Sequence, residues 1–107
     1  MTNEAFQTIL EGRIDAMRKT LASKAKEYAA PTDRLHNFKR AAGLLEGHPA
    51  EALQGMLVKH WVSIEDLVRL HTVRGGWTDP AVANEKLGDA VNYLVLLEAL
   101  LTENHRG

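Results

Sequence analysis

Glu85, Asp89 and Asn92 follow one another at i, i+4 and i+7, a spacing that stacks them on one face of a helix. Asp89 sits in the run Leu87-Gly88-Asp89-Ala90-Val91, at the edge of the most apolar part of the chain. A carboxylate in such surroundings needs a cation, a metal or several hydrogen bonds. Asp89 and Glu85 are therefore the candidate catalytic acids, and Asn92 is a candidate substrate contact. The plain alternative for both acids is a favourable place in the first half of a helix, paired with a lysine. Lys59, Ser63 and Asp66 repeat the same spacing. Lys59 and Asp66 stand too far apart along a helix to pair as near neighbours, so each can reach across to another element. Ser63 by itself reads as part of a solvated face.

A third group lies in the segment from Lys24 to Arg40, which gathers Lys24, Lys26, Tyr28, Arg34, His36, Asn37 and Lys39. Lysine and arginine pair with phosphate oxygens, arginine through two parallel hydrogen bonds. Tyr28 and Phe38 can offer a stacking surface, and the Asn37 amide offers both a donor and an acceptor to a base edge. The competing reading is a charged helix end, where cations are favoured in any case, with the two rings in the core. His60 joins the candidate substrate contacts beside Lys59, although a histidine near an apolar stripe is more often a core residue. A pocket between these three groups would suit a nucleotide, its phosphate held directly or through Mg²⁺, which takes one or two carboxylates plus phosphate and water. A glycine-rich phosphate loop, a dinucleotide fingerprint and a nucleophile elbow are all missing.

The elements that must carry these residues are helical, and the fold class read from the sequence is an all-α, four-helix bundle-like single domain over 1–107. The first helix is expected from about Glu4 to Tyr28, capped by Thr2 or Asn3. Its stripe runs Phe6, Ile9, Leu10, Ile14, Met17, Leu21, Ala25, Tyr28. Pro31 ends it. Thr32 or Asp33 caps a short second helix, about Arg34 to Glu46, whose inner face is Leu35, Phe38, Ala41, Ala42 and Leu45. Gly47 fits the left-handed residue that closes it. Pro49 opens the third helix, which runs to about Thr72 with Leu53, Met56, Leu57, His60, Trp61, Ile64, Leu67, Val68 and His71 on its apolar stripe. After Gly75-Gly76, Thr78 or Asp79 caps a last helix that starts at Pro80 and ends near Glu103. From Ala90 to Leu101 that helix is apolar nearly all round, broken mainly by Asn92 and Glu98. Such a helix must be buried on more than one side, so a homo-oligomer is expected, with a central helix in a monomer as the alternative.

Composition narrows the class. The chain has 107 residues, 45% hydrophobic and 25% charged, with a formal net charge of −1. That balance suits one soluble domain and provides no basic footprint for duplex nucleic acid. The absence of cysteine excludes disulfides and thiolate metal sites. The five histidines show no close pair with zinc-like spacing. The longest apolar run, Tyr93 to Leu97, is far short of a bilayer span, and the charged N-terminus is no signal peptide. A cytoplasmic protein without a membrane partner is expected, in the host cytoplasm should the gene be a phage's.

The segment Asn84-Glu85-Lys86-Leu87-Gly88-Asp89-Ala90-Val91-Asn92-Tyr93-Leu94 resembles the second acidic helix of MazG-like, all-α nucleotide pyrophosphohydrolases. Over about Lys24 to Leu101 the chain is also similar to small phage proteins of the nucleotide-modification-associated type. The resemblance implies an oligomeric helical bundle that hydrolyses a (deoxy)nucleoside triphosphate to monophosphate and pyrophosphate. In that reading Asp66, Glu85 and Asp89 hold Mg²⁺, which polarises phosphoryl oxygens and activates water, while Lys59 and Arg34 hold phosphate. The chain departs from the family pattern where acids would precede this motif: Lys59, His60 and Trp61 stand there, with Glu65 and Asp66 after them. Lys86 occupies the glutamate position three before Asp89, and Glu85 is shifted by one. Cations in place of metal ligands disfavour Mg²⁺ and favour direct contact with phosphate. Three functions follow: a Mg²⁺-dependent phosphohydrolase, a non-catalytic binder of a nucleotide or cyclic nucleotide (a sequestering or DNA-modification accessory protein), and a structural helical interaction module.

Overall fold

A computed structural model describes residues 1–28 and 33–103, the side chains of 23–28 and of Leu45 excepted. Among these residues the chain forms four helices: α1 (Asn3–Tyr28), α2 (His36–Leu45), α3 (Pro49–Val73) and α4 (Pro80–Thr102). Each boundary lies within two residues of the one that periodicity and punctuation predict.

The helix ends show why. The Thr2 hydroxyl accepts from the Ala5 amide at 3.1 Å, and Asp79 accepts from the Ala81 amide at 3.0 Å with Pro80 at the first helical position. At α3, His48 Nδ1 accepts from the Ala50 amide at 3.1 Å while Glu51 accepts from the His48 amide at 3.1 Å. This is a reciprocal cap with an imidazole where serine or threonine is usual.

Two expectations at α2 are corrected. Leu35 occupies the cap position without a side-chain cap bond; Asp33 instead builds the preceding turn, accepting from the Leu35 amide at 3.0 Å. Thr32 lies outside the described residues. At the other end the helix stops at Leu45, so the left-handed position falls on Glu46 (φ 55°, ψ 38°) and not on Gly47. The Gly47 amide then reaches back to the Ala42 carbonyl at 2.9 Å.

The most extensive contact is α3 against α4; α2 packs on α3, and α1 more lightly on α4. Leu35, Phe38, Leu53 and Leu100 form the buried centre, with Met56, Tyr93, Leu96 and Leu97 packed around it. Each fully buried leucine contributes about 1.5–3 kcal/mol. Lys39 clasps the two ends of this core, bonding Asp33 Oδ2 at 2.8 Å and the Glu103 carboxylate. The Lys39 ammonium holds the Asp33 carboxyl below its ordinary range, and the hydrogen bonds to Asp33 and Glu103 push Lys39 up. On the other side, Arg13 of α1 donates to the Asn84 carbonyl at 3.1 Å and to Asn84 Oδ1 at 3.0 Å. Gly88 makes room for that guanidinium: a Cβ there would stand 2.5 Å from Arg13 Nη1.

The core uses only part of each apolar stripe. On α1, Ile14, Met17 and Leu21 are half-buried, whereas Phe6 is 59% and Ile9 56% exposed. On α3, Leu53 and Leu57 are buried, but Trp61, Val68 and His71 face outward. On α4, Leu87, Leu94 and Leu101 are exposed. The Cα radius of gyration is 16.4 Å, against about 13 Å for a compact domain of this length. Among the described residues, no helix is long and apolar enough to cross a membrane.

A non-glycine residue in the left-handed region is strained by roughly 1 kcal/mol. Glu46→Gly is therefore expected to raise unfolding stability by up to about 1 kcal/mol in urea titrations; a clear loss would contradict the left-handed assignment.

Candidate functional site

All four helices contribute to one cavity of about 400 Å³. Thr20 and Leu21 come from α1, Arg34 from the turn before α2, Asn37 and Phe38 from α2, Met56 from α3, and Asp89, Asn92, Tyr93 and Leu96 from α4. The volume lies within the range of small-molecule sites, about 300–1,000 Å³. Apolar and aromatic side chains (Leu21, Phe38, Met56, Tyr93, Leu96) share the lining with the polar Thr20, Arg34, Asn37, Asp89 and Asn92.

The helix spacing explains the α4 contribution. Asp89, Asn92, Tyr93 and Leu96 recur at three- and four-residue steps and share one face. Tyr93 is the centre of an aromatic group. The Phe38 ring meets it edge-on at 6.4 Å and 73°, and the His60 imidazole lies against it at 4.7 Å, tilted 39°. Arg34 anchors to the α1 backbone by donating to the Leu21 carbonyl at 3.3 Å. It also borders a second cavity of about 360 Å³, which shares Leu21, Arg34 and Leu96 with the first and extends to Asp33 and Glu103. Arg34 thus stands between two adjoining hollows in the cleft.

Among the described residues two buried polar atoms have no hydrogen-bond partner: Asn92 Oδ1 and His60 Nε2. Asn92 is 8% exposed. An unmet buried carbonyl costs about 1–3 kcal/mol, and native proteins retain few of them. Both atoms belong to residues beside Tyr93, and of the two residues Asn92 lines the cavity.

Of the residues that the sequence nominates, Arg34, Asn37, Asp89 and Asn92 come together in the cavity. His60 stands behind Tyr93. Lys59 is exposed on α3 and Glu85 on α4, and neither is among the described residues that line the cavity. Asp66 is solvent-facing and paired with Arg69 at 2.9 Å. The side chains of Lys24, Lys26 and Tyr28 lie outside the described residues. Among the described residues no three His, Asp or Glu side chains form a group that could hold a metal ion. The expected Mg²⁺ set of Asp66, Glu85 and Asp89 is therefore not brought together within the chain, because Asp66 is turned to solvent on another helix. Sequence reasoning missed Thr20, Met56, Tyr93 and Leu96. Tyr93 and Leu96 were within reach of it, standing four and seven residues after Asp89. Nothing in the sequence distinguishes Thr20 or Met56 from their neighbours.

Replacing the unmet amide with an apolar side chain of similar size removes its desolvation penalty. Asn92→Leu is expected to raise the Tm of the ligand-free protein by about 4–8 °C per kcal/mol relieved. A lowered Tm in a thermal melt would mean that the carbonyl finds a partner within the fold. Comparison with protein-family models, with curated proteins and with solved structures finds no match.

Proposed function

We propose that the protein is a nucleotide-binding protein whose pocket is the four-helix cavity, and that it acts by holding its ligand and not by hydrolysing it. The observation that carries this reading is the meeting of Arg34, Asn37, Asp89 and Asn92 around the Phe38–Tyr93 rings. Arg34 supplies a cation for phosphate, with two parallel donors. The rings offer a face for a base, and the amides offer partners for its edge. Among the described residues, Asp89 is the one carboxylate that lines this cavity. Two-helix, multi-carboxylate metal catalysis of the MazG-like kind needs more acids than that. The resemblance of the Asn84–Leu94 segment to those enzymes supports the substrate class, and the missing acids support retention of binding without their chemistry.

Titration calorimetry with nucleoside mono- and triphosphates, with Mg²⁺ and with EDTA, tests the proposal. Binding should survive EDTA, and the ligand should be recovered intact. Arg34→Ala should weaken binding by about 10- to 150-fold, the scale of a lost hydrogen bond to a charged group. Absence of binding across the panel sinks the reading, and Mg²⁺-dependent release of pyrophosphate would return the protein to the hydrolases.

The protein also works as a homo-oligomer in this proposal, the partner being a second copy of the chain. The protomer exposes 7925 Å², about 2,000 Å² above the roughly 5,900 Å² expected of a compact monomer of its mass. An excess of that size on each of two copies matches the area that obligate dimers bury. The exposed Phe6, Ile9 and Leu10 on α1 supply apolar surface for it. Light scattering at micromolar concentration should give a multiple of the 11.9 kDa chain mass, and Ile9→Glu should reduce it. A monomeric wild type at tens of micromolar overturns the oligomer.

A further inference from the structure

The geometry points to a guanine nucleotide as the ligand of this cavity, its base edge donating to the Asp89 carboxylate and the Asn92 side-chain carbonyl. The inference rests on the nucleotide reading above and names the base.

The cavity is bipolar. Arg34 lines it from the turn before α2 and Asp89 from α4, yet the two form no ion pair with each other. A phosphate is repelled from Asp89 and drawn to Arg34, which fixes the direction of a bound nucleotide: phosphate at Arg34, base at Asp89. Asp89 is half-buried and has no hydrogen bond or ion pair within the described residues. Asn92, one turn further along the same face, is 8% exposed with its Oδ1 unpartnered. Two residues that line the cavity one turn apart on α4 therefore carry acceptors without donors, Asp89 half-buried and Asn92 Oδ1 withdrawn from water.

An ionised carboxylate is an acceptor only. It selects a base that presents adjacent N–H donors, and among the common bases only guanine does so, through N1–H and the 2-amino group. Adenine and cytosine each set one amino donor beside a ring-nitrogen acceptor, which would face the carboxylate lone pairs. Uracil and thymine flank a single N–H with carbonyls. The Asn92 carbonyl has room in this scheme for the second proton of the 2-amino group, and Asn37, exposed at the mouth, carries an amide donor for the guanine O6. The unpaired acceptors thus favour guanine and penalise each competitor by a lone-pair clash, so attraction and repulsion act in the same direction.

The test is calorimetry with GMP, IMP, AMP and XMP on the full chain. Wild type should bind GMP at least 10-fold tighter than IMP, which lacks the 2-amino group, and tighter still than AMP. Asp89→Asn, checked by circular dichroism for native helicity, should lose most GMP affinity and gain XMP, because an amide presents an acceptor to N1–H and a donor to the xanthine O2. Equal affinity for GMP, IMP and AMP overturns the guanine assignment and leaves the nucleotide reading standing. Failure of all four to bind overturns both. Should Asp89→Asn not fold, the wild-type ranking of GMP over IMP and AMP decides the matter alone. GMP affinity unchanged in a folded Asp89→Asn also overturns the assignment.

Discussion

Leu53 on α3 and Leu100 on α4 are the largest side chains wholly withdrawn from water, and the contact between these two helices positions almost everything else. α2 is packed onto α3 through Leu35 and Phe38, and α1 is attached to α4 chiefly by lighter contacts and the Arg13–Asn84 bonds. The cavity lies where these attachments meet. Its α4 wall is rigid because the following turns of the same helix, through Leu96, Leu97 and Leu100, belong to the core. Side chains on an element so anchored keep their geometry without help from loops.

One helix therefore carries two tasks that pull against each other. α4 must be apolar enough to fill the core, and it must still present Asp89 and Asn92 to the cavity. The result is a buried amide with an unmet carbonyl in an otherwise apolar setting, a local loss of stability of the kind that folds tolerate at sites of function. Gly88 belongs to the same compromise. It gives up helix propensity so that Arg13 can cross α4 and hold α1 over the cavity.

The chain is also more extended than a compact domain of its size and exposes more surface. The outer part of α1 and the outward faces of α3 and α4 keep exposed apolar residues at helical spacing, among them Phe6, Ile9, Trp61, Val68, Leu94 and Leu101. Helix-forming pattern and burial are thus separated in this protein: the pattern is complete along each helix, while the burial is not.

Local signals were enough for the four helices. Proline at Pro49 and Pro80, the Thr2 and Asp79 caps and the three- and four-residue apolar steps are all short-range physics, readable along the chain. They failed at both ends of α2: the cap position falls on Leu35 and not on a polar residue, and the last turn closes on Glu46 before reaching the glycine that would have been easier to bend. The co-location of Asp89 with Asn92 was equally legible, since helix geometry alone places them together. The sequence could not say which residues from different helices would meet. Arg34 and Asn37 line the same cavity as Asp89, while Asp66 and Lys59 do not, because the rotation of α3 about its own axis is set by how Leu53, Met56 and Leu57 pack, and no spacing within one helix encodes its angle to the next. The chain by itself determined the elements and the faces they offer; only tertiary packing, through side-chain volume in the core, decided which of those faces became a cavity and which stayed exposed.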